Sequence, residues 1–222
     1  MRKVVTIDGP AGAGKSTVAR ALADHLGWRL LDTGAMYRAV TLAAIREGVD
    51  LENADAQFML AERVDVRLPP GQVLLNGEDV TGLIRSVEVT RASRYIADNE
   101  GVRACLVRLQ HAFAYENEVI AEGRDQGTVV FPDAFRKFYL TATLEERARR
   151  RHAEFLQRGQ TIDCETVARD LAERDAFDSA RVIAPMKPAE DALIFDTTGL
   201  SLEDVIARIE TEIRSQPEAQ RS

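Results

Sequence analysis

The chain has 222 residues, a net charge of −7, and 29% charged against 45% hydrophobic residues, with a pI near 5.2. At ~150 residues per domain, this predicts one enlarged domain with an ample core. The acidic balance argues against a general affinity for nucleic-acid backbones, which needs excess Lys and Arg. The longest apolar run, Ala39 to Ile45, falls far short of the ~20 residues of a membrane helix.

Val4–Ile7 is a short β-branched run ending at Asp8; it reads as a buried strand, and the early acid argues against a signal peptide. A glycine-rich loop follows, then Thr17–Leu26, a helix with Val18, Leu22 and Leu26 on one face. Leu30–Leu31 is a second short strand, Asp32-Thr33-Gly34 opens a helix through Ile45, and Ala54–Arg63 is helical too. Strand, loop, helix and strand in this rhythm predict a parallel α/β sheet. Val64–Arg85 breaks the rhythm with short alternating runs, a Pro69-Pro70-Gly71 turn and an Asn76-Gly77 hairpin signal, and is read as a small antiparallel insertion. Helices are expected over Val87–Ala97 and Gly101–Tyr115, core strands over Val119–Ala121 and Lys137–Leu140, and charged helices over Leu144–Gln157 and Cys164–Asp175. Ala192–Phe195 is the last strand, and Ser201 caps a closing helix through Arg214. The polar stretch 215–222 reads as a disordered tail.

Cys105 and Cys164 stand far apart with no CxxC, as expected of free thiols packed as small hydrophobes in a reducing compartment. His25, His111 and His152 form no metal-binding pattern. A cytoplasmic enzyme, with neither membrane nor nucleic acid as partner, is the expectation.

Gly9-Pro-Ala11-Gly12-Ala13-Gly14-Lys15-Ser16 fits G-x-x-x-x-G-K-[ST] in full, after a strand and before a helix. Glycines let such a loop wind tightly, so that backbone N–H groups point at phosphate oxygens and the helix N-terminus adds positive charge. Lys15 is placed to reach the β- and γ-phosphates, and the Ser16 hydroxyl to ligate Mg²⁺. Gly9, Ala11, Gly12, Ala13, Gly14, Lys15, Ser16 and Thr17 are therefore the expected ATP-binding set. No N-K-x-D motif and no apolar strand ending in paired acids is present. This favours a small-molecule kinase over a GTPase or a motor ATPase.

Four clusters supply an acceptor side: Asp32 to Arg38, Val102-Arg103, Glu122-Gly-Arg124-Asp125 and Arg174-Asp175-Ala-Phe-Asp178-Ser-Ala-Arg181. Strand C-termini line the ligand crevice of open α/β sheets, and arginine forks bind phosphate bidentately. Taken alone, the helical Arg-Asp-Arg set is as well a solvated ion-pair face, and Met36 and Tyr37 are as well core residues. Beside the phosphate loop, Arg38, Arg124 and Arg174 read as converging on one anionic group.

The sequence resembles the bacterial cytidylate kinase family over roughly residues 3–212. The resemblance lies in Ile7 to Thr17, Leu31 to Arg38, Gly123-Arg-Asp-Gln-Gly-Thr-Val-Val-Phe-Pro-Asp133, Arg174-Asp175, Asp178, Arg181, Ala184-Pro185 and Asp191-Ala192. It implies an α/β P-loop three-layer fold with a central parallel sheet, a small antiparallel NMP-binding insertion over about 64–85 and a helical lid over about 147–170, all within one domain spanning 1–214. It implies an enzyme that phosphorylates CMP and dCMP with ATP and Mg²⁺; a monomer is expected because the pattern shows no large exposed apolar stripe. Arg38, Arg124 and Arg174 would hold the CMP phosphate, Arg103 and Asp125 the cytosine, and Asp178 the sugar hydroxyl, with Arg181 on the transfer side. Thr33 and Tyr37 join this acceptor set, and Lys15, Arg124, Arg174 and Arg181 form the expected catalytic group. The run Arg147–Arg158, with five arginines, would start or border the lid, although much of it reads equally as a solvated helix.

Four positions depart from the family pattern: Thr33 stands for Ser, Glu122 for Asp, Gln126 for an apolar residue, and Arg94 for the serine expected near the base, with Ser93 beside it. Two rival readings follow, a P-loop kinase with another acceptor such as UMP or shikimate, and an ATP-binding regulator without transfer activity.

Overall fold

Apolar runs too short to make helices build the centre of the molecule as strands, and each hands over to a helix at its C-terminal end. The computed structural model describes residues 3–157 and 159–215. β1 (Val4–Asp8) leads through the glycine loop into α1 (Lys15–Leu26), and β2 (Arg29–Asp32) leads directly into α2 (Thr33–Arg46) and then α3 (Ala54–Arg63). A meander of β3 (Val66–Arg67), β4 (Leu74–Leu75) and β5 (Glu78–Asp79) follows, then a tight turn over Leu83–Arg85 and the pair α4 (Val87–Asp98) and α5 (Glu100–Glu116). β6 (Val119–Glu122), a wide helical turn (Gln126–Val130), β7 (Arg136–Thr141), α6 (Leu144–Gln157), α7 (Cys164–Ala180), β8 (Leu193–Asp196) and α8 (Leu202–Arg214) complete the chain.

The main sheet is wholly parallel, in the order β2-β6-β1-β7-β8. β1 is central and buried along its length, as parallel strands covered on both faces must be. Its side chains alternate between two cores. Val5 and Ile7 join Val18, Leu22, Ile206 and Ile209 beneath α1 and α8, while Val4, Leu31 and Ala121 join Met36, Val40 and Leu106 beneath α2 and α5. Three layers result. The meander lays Val66, Val73 and Leu75 into the second core, and its Asn76-Gly77 turn takes φ values of 51 and 86 between the paired Leu75 and Glu78. Among the described residues, no helix is long and apolar enough to cross a membrane.

The α/β reading and the central parallel sheet agree with this architecture. Most element ends fall within a residue of expectation, and the larger differences have local reasons. α1 begins at Lys15 rather than Thr17, because left-handed Gly14 (φ 88) turns the loop straight into the helix. α7 runs to Ala180 rather than Asp175, held at its end by the Arg181–Asp178 ion pair. Residues 126–130 form a helical turn to which no element was assigned from the sequence. Of the expected tail, Ser215 closes α8 through an N–H bond to the Thr211 carbonyl at 2.9 Å, and residues 216–222 lie outside the described residues.

Gly9 marks the place where the sheet meets the loop. Its φ of +135 is a conformation L side chains rarely adopt, and a Cβ there would lie 2.0 Å from the Leu140 carbonyl oxygen. Gly9→Ala is therefore expected to cost on the order of 3 kcal/mol or more of folding stability. A denaturant titration giving a near-parental midpoint would contradict it.

Candidate active site

The C-terminal ends of β1, β2 and β6 open on one crevice of about 1130 Å³. The glycine loop lines one end, and Tyr37, Ser93, Arg94, Arg103 and Asp125 line the other.

At the loop end, Lys15 is buried, and its ammonium donates to the Pro10 carbonyl at 2.7 Å. The Ser16 hydroxyl donates to Glu122 Oε1 at 2.9 Å. Glu122 is placed there by strand register, opposite both Ile7 of β1 and Asp32 of β2, and its backbone carbonyl accepts from the Thr33 hydroxyl at 2.7 Å. Burial, with Arg124 and Arg174 close by, pulls the Lys15 ammonium down toward neutrality. Burial and the neighbouring Asp32 push the Glu122 carboxyl well above the usual carboxylate range. Thr17 is exposed on the crevice wall.

Arginines crowd the middle of the crevice. Arg124 Nε donates to Asp178 Oδ2 at 2.9 Å, and the Arg181 guanidinium pairs with the other oxygen of the same carboxylate. Burial opposes the charge on Asp178, yet the two guanidiniums hold its carboxyl below the ordinary value. Arg174 has no ion pair among the described residues. Burial, together with Arg124, Arg38 and Arg151, brings its guanidinium down to about 10. Arg38 lies 3.6 Å from Asp32 and buries an Nε without a hydrogen-bond partner. Arg38, Arg124, Arg174 and Lys15 thus share one electrostatic neighbourhood, while Arg181 faces Asp98 at 3.3 Å and lies over the Phe177 ring.

At the far end, Arg103 and Asp125 form a buried ion pair. The Arg103 guanidinium lies 5.7 Å from the Tyr37 ring centroid, and burial raises the Tyr37 phenol to about 12. Ser93 is buried and donates to the Thr90 carbonyl at 2.9 Å. Arg94 stacks 4.9 Å above the Tyr95 ring and donates to its hydroxyl at 3.1 Å.

Two features of the site had no signal in the sequence. Arg147, read as part of a lid or a solvated helix, is buried, and it donates to the carbonyls of Ala142 and Ala11, both at 3.0 Å. It also pairs with Asp175, which accepts the Ala11 N–H at 3.3 Å. Both backbone groups of Ala11 are therefore held by α6 and α7. The second feature is Asp8, whose carboxylate accepts two backbone N–H groups, from Gln126 and Gly127. Of the neighbours of Arg147 on the arginine-rich helix α6, Arg149 is exposed and pairs with Glu146, while the partly buried Arg151 pairs with Glu154 and lies over the Phe155 ring.

The comparisons with known proteins match this geometry. The Cytidylate kinase family model matches residues 5–215. The chain belongs to the cytidylate kinase family. A cytidylate kinase of Shewanella amazonensis is 47% identical over 219 residues, covering 96% of this chain and 95% of the relative. One from Shewanella baltica is 49% identical over 210 residues, covering 92% and 91%. Among solved structures, an uncharacterized protein from Eubacterium ventriosum superposes with a TM-score of 0.52 at 12% identity, covering 97% of this chain and 100% of that one. TT1252 from Thermus thermophilus gives 0.50 at 18% identity, covering 97% and 99%. These two show a shared fold. Family membership makes the chain an enzyme, a phosphotransferase.

The raised carboxyls have a measurable consequence in this cytidylate kinase family member. The folded chain keeps a proton on Glu122 up to about pH 7, while an ordinary carboxyl loses it near 4.5; Asp8 does likewise up to about 6. The folded state then binds more protons than the unfolded one, so stability falls as pH rises through that range. Glu122→Gln is expected to flatten the fall between about pH 6 and 7 in the nucleotide-free protein. Denaturant midpoints that fall as steeply in the variant as in the parent would refute this.

Proposed function

We propose that the protein transfers the γ-phosphoryl group of ATP directly to the phosphate of CMP or dCMP, forming ADP and CDP or dCDP. The observation that carries this reading is the crowd of guanidiniums beside Lys15, with Arg174 free of any ion pair among the described residues. Such a crowd is costly in the absence of an anion and suits two phosphate groups brought together.

The glycine loop would cradle the ATP phosphates with Lys15 on the β- and γ-groups, and their charge would restore the full protonation of its ammonium. Arg38, Arg124 and Arg174 would hold the acceptor phosphate, and Arg181 would hold Asp178 against the sugar hydroxyl. The Arg103–Asp125 pair fits cytosine. Its carboxylate accepts from an exocyclic amino group, where uracil presents a carbonyl oxygen instead, and its guanidinium donates to the ring acceptors. The acceptor phosphate is already anionic, so no strong general base is required. Positioning and charge cancellation by Lys15 and the arginines would carry the step.

The family's reaction uses a divalent cation, and the donor set fits Mg²⁺. The Ser16 hydroxyl and the Glu122 carboxyl, hydrogen-bonded to each other beside Asp32, are hard oxygen donors. A cation there would also relieve the repulsion between the two acids. When bound, Mg²⁺ supplies charge neutralisation on the phosphates. The α6–α7 region, 147–170, would act as the lid over ATP and exclude water. Cys105 is a buried free thiol as expected, whereas Cys164, in the first turn of α7, is an exposed one rather than a packed hydrophobe; we place the enzyme in the cytoplasm, and take it to be a monomer.

A coupled ADP-release assay tests this. CMP and dCMP are expected to turn over, with UMP roughly 5- to 150-fold poorer in kcat/KM by the ~1–3 kcal/mol that one mismatched polar edge costs, and AMP and shikimate inactive. A preference for UMP would move the acceptor assignment. Lys15→Ala is expected to lower kcat by on the order of 10²-fold or more without lowering the melting temperature, and Arg124→Ala chiefly to raise the KM for CMP. Near-parental turnover by Lys15→Ala would overturn the mechanism.

A further inference from the structure

Asp8 is the last residue of β1 and is buried at 4% exposure. Its Oδ1 accepts the Gln126 N–H at 2.9 Å, and its Oδ2 accepts the Gly127 N–H at 2.7 Å. These two amides open the helical turn Gln126–Val130. The first N–H groups of a helical segment have no partner within it, and the residue best placed to accept one is the N-cap, for which Asp is among the preferred types. Asp125 occupies that position and caps nothing. Its carboxylate is committed to Arg103 instead. The missing acceptors arrive from a strand more than a hundred residues earlier.

The neighbouring bonds make Asp8 more than a local cap. The Gly123 N–H donates to the Ile7 carbonyl at 3.1 Å, so consecutive residues of β1 hold both ends of the segment that carries Arg124 and Asp125. The next residue, Gly9, begins the phosphate loop. The seat is also tight: a Cβ on Gly127 would lie 2.9 Å from Thr6 Oγ1 and 3.4 Å from Asp8 Oδ2. Donor and acceptor segments are therefore registered on a single strand end.

We propose that Asp8 is a positioning residue for the acceptor: by capping the 126–130 turn in place of Asp125, it frees that carboxylate for Arg103 and fixes Arg124 against Asp178. Asparagine at this position keeps the shape but presents an amide N–H₂ to one of the two backbone donors, leaving that donor unpaired. The Asp125 side chain is then drawn toward the vacant cap, and the base and phosphate contacts loosen together.

The inference rests on the acceptor site proposed above, and its test separates the two. Asp8→Asn is expected to raise the KM for CMP about tenfold or more, the range of one lost charge-assisted hydrogen bond, while the KM for ATP stays within about twofold. Asp8→Ser, which retains one acceptor, is expected to give a smaller rise in the same constant. An unchanged KM for CMP would sink the proposal, as would equal losses toward ATP and CMP, or failure of both variants to fold, since each would make Asp8 a residue of the fold alone. Wild-type protein that ignores CMP in the parallel assay would overturn the function itself, whatever the variants do.

Discussion

Positive charge held out of water at the C-terminal edge of the sheet is the constraint to which the rest of this molecule answers. The chain as a whole is acidic, at −7, yet one crevice collects Lys15, Arg38, Arg124 and Arg174 with too few carboxylates to neutralise them. Desolvation pulls Lys15 and Arg174 toward their neutral forms, whereas the Asp178 carboxylate keeps the buried Arg124 charged. A site of this kind is stable only because surrounding elements prevent its side chains from swinging out to solvent. The sheet supplies that rigidity: Glu122 and Asp32 face each other in register at strand ends, opposite Ile7, the residue before Asp8 on β1.

The loops between those strands are fixed by long-range bonds more than by their own sequence. Arg147 and Asp175 grip both the carbonyl and the N–H of Ala11, so the phosphate loop and the helices α6 and α7 are mechanically joined. Asp175 is followed three residues later by Asp178, which binds Arg124 and Arg181. One helix thus carries the grip on the donor loop and the carboxylate that orders the acceptor arginines. Movement of α7 would alter both ends of the crevice at once, a coupling through a rigid element with no need of a longer route.

How much of this was legible in the sequence follows from chain separation. The phosphate loop is eight contiguous residues whose glycines and lysine act locally, and its place after β1 needed only a period-two apolar run. The parallel α/β sheet and the hairpin at Asn76-Gly77 were readable for the same reason. Asp8, Arg147 and Asp175 were not. Their partners lie on other elements, and as residue types they are as common on a solvated surface as in a buried clamp. The extension of α7 to Ala180 and the helical turn at 126–130 likewise depend on ion pairs and caps that only the folded arrangement brings together. Arg94 is an intermediate case: its place near the base end was implied by the family resemblance, but its stacking on Tyr95 was not.

The buried charge also links stability to ligand binding. In the nucleotide-free protein, Glu122 and Lys15 are each driven toward neutrality by the same burial, and Arg174 is held beside other cations. Phosphate groups entering this crevice replace repulsion between guanidiniums with charge-assisted hydrogen bonds, which are stronger where water is excluded. Any ligand that binds the folded state alone stabilises it by mass action, and here the electrostatic part of that gain comes from cancelling a cost already built into the fold. Removing one cation by mutation would therefore relieve the free protein while weakening its hold on phosphate. Stability and affinity move in opposite directions at these positions because a single desolvation cost underlies both.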